Sequence, residues 1–184
     1  LAMALILAVA IAGVAVMFSD SDVDAAKGTQ IYGGETLTNT QDFTDVNVRV
    51  VDDIIIDKGG FLNINGGNFT IDEGVKVIVR NGGEININDV DGNTTGSVGL
   101  VTINGSVEVS KDSSFNINGT ASGTFKDDGV VVNGSLTATN GGVIESTGSQ
   151  MILINNGGNL DIKKNGGIAR IDVNIAVGGS FSFN

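Results

Sequence analysis

The sequence predicts an N-terminal hydrophobic α-helix followed by an all-β domain. Three observations carry that reading. Residues Leu1 to Phe18 include no polar side chain. Downstream, short runs alternate apolar and polar residues, with many β-branched side chains at the apolar positions. Asn-Gly and Gly-Gly each occur eight times along the chain and punctuate those runs.

The apolar start runs unbroken from Leu1 to Phe18. As a helix it extends about 27 Å at ~1.5 Å per residue, the short edge of a bilayer span. A helix apolar on every face must lie in lipid or in other protein. Ala4, Ala8 and Ala12 fall at i, i+4 and i+8 and make a stripe of small residues, which lets helices approach closely. Leu5 and Val16 belong to the larger faces, with Leu7, Val9, Ile11 and Val14. Three origins compete for such a segment. A signal peptide calls for an initiator Met and a basic flank. A membrane anchor calls for a basic flank alone. The preferred reading is a helix exposed when a peptidase removes a short basic leader. The expected organisation is therefore a helix over 1–18, an acidic neck over 19–28 opening on Ser19-Asp20-Ser21-Asp22, and an all-β outward domain over 29–184.

The body reads as short strands. Phe61-Leu62-Asn63-Ile64, Phe69-Thr70-Ile71, Glu84-Ile85-Asn86-Ile87, Phe115-Asn116-Ile117 and Leu160-Asp161-Ile162 alternate with period two, which marks strands with one buried face. Two all-β architectures fit. Asn-Gly between alternating runs is the strongest short hairpin signal; Ile103-Asn104-Gly105-Ser106-Val107 then becomes a hairpin and the body a sandwich of immunoglobulin type. Spacing favours the other. The Asn-Gly steps 65→81, 118→133 and 140→156 are nearly equal, and the step 81→104 is half as long again. They correspond to two and to three strand-plus-turn units of about eight residues, and a three-sided coil of about 22–24 residues is a parallel β-helix, or solenoid. The absence of Pro fits uninterrupted ladders.

Composition removes most chemistry. The chain has no Cys and no His, which excludes disulfides, thiolate metal sites and His-dependent nucleophilic catalysis. Ten Lys+Arg against 21 Asp+Glu give a net charge of −11, which argues against nucleic acid. With 41% hydrophobic and 17% charged residues the chain is not globally disordered. Acidic clusters at Asp20, Asp22 and Asp24 and at Asp89 to Asn93 read as a solvated neck and turn, because calcium needs six to eight oxygens and the loop lacks the glycine and glutamate of a calcium loop. Asp52-Asp53 and Asp127-Asp128 are the candidate glycosidase carboxylates; with only three arginines beside them and a strongly negative charge, no enzyme is expected. No cofactor and no metal are expected.

The most specific chemical signal is Asn-x-Ser/Thr, an acceptor for N-glycosylation in an exported chain. It occurs five times, at Asn68, Asn93, Asn104, Asn118 and Asn133. All five acceptors are expected at turns or on outward strand positions, since an oligosaccharide must stay in water.

The segment Leu1–Phe18, the acidic neck and the β-rich body together resemble a mature archaeal type IV pilin. The resemblance reaches from Leu1 only as far as the neck and is one of composition. Leu5 stands where bacterial type IV pilins carry Glu, which points to the archaeal branch. In that family a class III signal peptide is cut just before the helix, and the usual body is an immunoglobulin-like sandwich. The unit Ile64-Asn65-Gly66-Gly67-Asn68-Phe69-Thr70-Ile71, repeated in outline at Ile154 to Ile162, is similar to repeats of β-helical surface adhesins. The resemblance implies a structural subunit of an extracellular, pilus-like filament. Its core helix would carry Ala4, Leu5, Ala8, Ala12 and Val16, and it would serve adhesion. Its partners would be further copies in a helical homopolymer, the membrane before assembly, and glycans of a cell or host surface. The alternative is a single-pass, membrane-anchored β-helical adhesin.

Overall fold

The computed structural model describes residues 8–9, 14–18, 28–65, 67–88, 101–118, 128–146, 151–163, 165–169 and 172–184. The expected N-terminal helix does not form: β1 (Ala8–Val9) and β2 (Val14–Phe18) are strands that pair antiparallel with each other. The described residues contain strands and turns and no helix, so the fold class is all-β rather than helix plus β. Among the expected helix-stripe residues, Ala8 and Val16 lie in these strands, while Ala4, Leu5 and Ala12 lie outside the described residues. The physical reason is that an apolar run without polar faces carries no periodicity to separate helix from strand. Val9, Val14 and Val16 favour extended backbone. β2 also covers the first edge of a sheet that would otherwise stand open. No helix of the described residues is long and apolar enough to cross a membrane. The expected neck lies almost wholly outside the described residues.

From Thr29 the chain winds in coils of three strands. The first coil is β3 (Thr29–Tyr32), β4 (Glu35–Leu37) and β5 (Thr40–Thr44); the second is β6 (Asn47–Val50), β7 (Ile54–Ile56) and β8 (Phe61–Asn65). The third is β9 (Phe69–Ile71), β10 (Lys76–Val79) and β11 (Glu84–Asn88), and the fourth β12 (Val101–Ile103), β13 (Ser106–Ser110) and β14 (Ser114–Asn118). The fifth is β15 (Asp128–Val132), β16 (Ser135–Thr139) and β17 (Val143–Ser146), and the sixth β18 (Met151–Ile154), β19 (Asn159–Lys163) and β20 (Gly167–Ala169). β21 (Asp172–Ile175) and β22 (Ser180–Phe183) begin a seventh.

Each strand pairs in parallel with its counterpart one coil away. This builds a first sheet β1-β2-β3-β6-β9-β12-β15-β18-β21, a second sheet β4-β7-β10-β13-β16-β19-β22 and a third sheet β5-β8-β11-β14-β17-β20. Parallel pairing excludes the sandwich. Ile103 and Val107 stand in different sheets, and Asn104 and Gly105 form a corner in which neither takes the positive φ of a tight hairpin. One coil advances the chain by 23 positions from Asn63 to Asn86, and by 30 from Asn86 to Asn116. The extra length enters at one corner, between the third and first sheets: β8 to β9 is Asn65 to Phe69, whereas β11 to β12 is Asn88 to Val101.

The core is built from inward residues stacked in rows along the axis. Ile54, Val77, Val107, Leu136 and Leu160 form one row; Leu62, Ile85, Phe115 and Ile144 another; Val48, Phe69, Val101, Val130 and Ile152 a third. All are buried. Each such side chain contributes about 1.5–3 kcal/mol relative to exposure, and the rows join into one cluster over all complete coils. At the first coil Tyr32 meets Phe43 edge-on at 5.2 Å. Burial, with the Glu35 carboxylate adding to it, pushes the Tyr32 phenol far up, so it stays neutral. At the other end Phe181 and Phe183 hold core register but are 42% and 71% exposed.

Successive coils come into backbone contact at some corners and leave open space at others, such as Gly74 and Gly157. Gly134 follows β15 directly above Gly105, and a Cβ there would fall on the carbonyl oxygens of Gly105 and Asn104. Glycine is required because successive coils touch backbone to backbone at this point.

Candidate functional site

Asn is disfavoured in strands, yet the third sheet carries six asparagines inside strands: Asn63, Asn65, Asn86, Asn88, Asn116 and Asn118. Their place follows from the period of two. In β8, β11 and β14 the alternating Leu62/Ile64, Ile85/Ile87 and Phe115/Ile117 are buried, which leaves Asn63, Asn65, Asn86, Asn88 and Asn116 on the outer face. Parallel register aligns the six positions in two rows, Asn63–Asn86–Asn116 and Asn65–Asn88–Asn118. Neighbours in a row are one strand spacing apart, about 4.8 Å, and the rows are two residues apart, about 6.6 Å.

The first row is a directed chain of hydrogen bonds. Asn116 Nδ2 donates to Asn86 Oδ1 at 2.7 Å, Asn86 Nδ2 to Asn63 Oδ1 at 2.9 Å, and Asn63 Nδ2 to Asp42 Oδ1 at 2.7 Å. In the second row Asn88 Nδ2 donates to Asn65 Oδ1 at 2.7 Å. Stacked amide ladders of this kind stabilise parallel sheets. The first row ends in an asymmetry: Asn116 Oδ1 is buried without a hydrogen-bond partner, and the next residue in register is Glu145. Phe61 lies on the same outer face, half-buried, in register with Thr40 and Glu84.

A third ladder follows the corner between the first and second sheets. Asn155 Nδ2 donates to Asn133 Oδ1 and Asn133 Nδ2 to Asn104 Oδ1, both at 2.8 Å. Asn104 and Asn133 also line a groove of about 480 Å3 with Arg49, Asp72 and Glu73. Arg49 Nε donates to Asp72 Oδ1 there at 2.9 Å.

The expected glycosylation acceptors are scattered. Asn104 and Asn133 share that corner, with Asn133 exposed and Asn104 half-buried. Asn68 precedes β9, and its backbone N–H donates to Asn47 Oδ1 at 2.9 Å. Asn118 closes β14, and Asn93 lies outside the described residues. The fold thus brings two of the five acceptors together. Sequence reasoning misses the outer asparagines of the third sheet as a group, because it takes Asn richness for turn chemistry. The available signal is the recurrence of Leu62-Asn63-Ile64-Asn65, Ile85-Asn86-Ile87-Asn88 and Phe115-Asn116-Ile117-Asn118.

Of the candidate carboxylates, Asp52 and Asp53 accept backbone hydrogen bonds: Asp52 Oδ1 from the Asp53 N–H at 2.8 Å, and Asp53 Oδ1 from the Lys76 N–H of the next coil at 2.7 Å. Asp127 lies outside the described residues. Among the described residues no three Asp or Glu converge as a metal site; the acidic clusters 20–24 and 89–93 lie outside them. Asp57 is held down to about 2 by the Asn81 amide at 2.7 Å, the Lys58 N–H at 2.8 Å and Arg80 at 2.9 Å. Asp161 is lowered by the Ser182 hydroxyl, then by Lys163. Both carboxylates bind one coil to the next rather than face a common cleft.

The sequence matches no protein-family model, and no curated protein and no solved structure matches it.

Proposed function

We propose that the chain is a structural attachment protein displayed outside the cell, a β-solenoid that meets its target with its outer faces and performs no catalysis. The observation that carries this reading is the pair of asparagine rows on the third sheet. They form a flat, uncharged, hydrogen-bonding surface that repeats with the coil. Sequons at Asn104 and Asn133 and a net charge of −11 fit a solvated exterior. Immunogold electron microscopy of intact cells tests the reading. Label on the outer surface is expected, and label confined to the cell interior overturns it.

The second reading is a subunit of a pilus-like filament resembling archaeal type IV pilins. It is favoured by the unbroken apolar run of residues 1–18, which any aqueous monomer would have to hide. Assembly through that segment predicts filaments of the full chain in negative stain and none after residues 1–18 are deleted. Filaments of the deletion variant contradict it.

A further inference from the structure

We infer that the outer face of the third sheet binds an uncharged, hydroxyl-rich polymer, a neutral polysaccharide, through its asparagine rows. The inference rests on the attachment reading above and names what is attached to.

Three features select that chemistry. The first is spare valence. Asn63 and Asn86 each spend one N–H and one carbonyl lone pair inside the ladder. A side-chain amide has two N–H groups and two lone pairs, so each keeps one donor and one acceptor. Paired donors and acceptors, repeated at about 4.8 Å along a flat sheet, match a ligand that is itself both donor and acceptor at regular intervals. Hydroxyls on a sugar chain are such groups.

The second feature is a missing donor. Asp42, Asn63, Asn86, Asn116 and Glu145 stand in consecutive register, leaving four gaps between five side chains. Three amides point their N–H groups toward Asp42, and Asn116 spends its other N–H on Ser114 Oγ at 3.0 Å. The gap between Asn116 and Glu145 therefore has two acceptors and no donor, since a carboxylate brings acceptors only. Leaving a buried carbonyl unpaired costs more than an average hydrogen bond gains. Asn116 Oδ1 is closed off from solvent, so a ligand hydroxyl meets this end of the row at the half-buried Glu145, whose carboxylate accepts and cannot donate.

The third feature is what flanks the amides. Asp42, Glu84 and Glu145 border them on the same face and repel an anionic polymer. Phe61, on the same face beside Asn63, offers an aromatic surface to the C–H side of a sugar ring. Nucleic acid and sulfated glycans are thereby disfavoured against neutral ones.

Retention of the full chain on particles of cellulose, chitin, β-1,3-glucan, mannan and dextran, with heparin as the anionic contrast, tests the inference. At least one neutral polymer should retain the protein, with little change between about 0.05 and 0.5 M salt. Replacing the central amides (Asn86→Thr with Asn88→Thr) should weaken that binding about tenfold, the loss expected for one or two hydrogen bonds, while Thr137→Ala on the second sheet leaves it unchanged. Retention by none of the neutral polymers, by heparin alone, or undiminished in the double variant overturns the inference. If the double variant fails to fold, hydroxyl-radical footprinting of the native chain on the retaining polymer replaces it. Protection should centre on residues 84–88 and 114–117, and protection confined to other sheets overturns the assignment. Surface immunogold label without polysaccharide binding would sink this inference alone; binding by a protein found only inside cells would sink the attachment reading alone.

Discussion

Asn86 donates its side-chain amide to Asn63 one coil below at 2.9 Å, and the backbone of the same two residues pairs in parallel register. Side chain and main chain thus repeat with one translation. That relation makes the outer face of the third sheet a lattice rather than a collection of polar residues. It follows that Asn86→Asp should be costly at neutral pH, because it removes a donor and sets a carboxylate against Asn63 Oδ1. Loss of about 1–3 kcal/mol is expected. Urea unfolding at pH 7 should show it, and the loss should shrink below pH 4, where the acid form donates again.

The backbone contact at Gly134 predicts a second outcome. Gly134→Ala places a methyl group on the carbonyls of Gly105 and Asn104. Overpacking of this kind costs about 1–3 kcal/mol. Gly28, with open space around its Cβ position, should tolerate Ala within about 0.5 kcal/mol. Equal effects at the two sites in chemical denaturation would mean that the coils do not touch at that corner.

Phe115 is fully buried between Ile85 and Ile144 in the third sheet. Phe115→Ala should cost about 3–5 kcal/mol. Since the core is a single cluster, calorimetry should show one transition moving down rather than a new one splitting off.

Asp57 contributes to the pH dependence of stability. Its folded pKa of about 2 lies below the unfolded value of 3.8, so its contribution is present above pH 4 and is lost as the pH falls through 2. Asp57→Asn should lower the melting temperature at pH 7, and the gap to the native chain should narrow as the pH falls toward 2. A difference between the two that persists unchanged at pH 2 would place the stabilisation elsewhere.

Much of the body can be read from spacing. The Asn-Gly steps 65→81 and 140→156 each cross two strands, as the spacing predicts, and the coil from Asn63 to Asn86 advances by 23. The steps 118→133 and 81→104 do not follow that count: the first crosses β15 alone and the second only β11 and β12, because the corner between the third and first sheets is longer there. The apolar start resisted the same logic. Leu1–Phe18 has no polar face, so helix and strand leave the same trace, and the need to cover the open edge at β3 is a tertiary demand. Local sequence at Asn104-Gly105 even favours a hairpin. Backbone hydrogen bonds from Asn104 and Ser106 to Ile71 and Val75 in one neighbouring coil, and from Gly134 and Ser135 of the other coil to Ile103 and Gly105, make it a corner instead. The asparagine rows stayed hidden for a related reason. Asn63, Asn86 and Asn116 are separated by 23 and 30 positions, and become one surface only when the coils are in register.

Parallel stacking of the coils is the claim on which the rest depends, and cysteine cross-linking tests it most directly because the chain has no native cysteine. Thr70 and Thr102 are register partners in adjacent coils of the first sheet, within the ~4.4–6.8 Å Cα range of a disulfide. A Thr70→Cys, Thr102→Cys variant should oxidise within the folded monomer. A Thr102→Cys, Val107→Cys variant, whose positions face each other only if Asn104-Gly105 turns a hairpin, should stay reduced. Efficient closure of the second pair with failure of the first would contradict the solenoid.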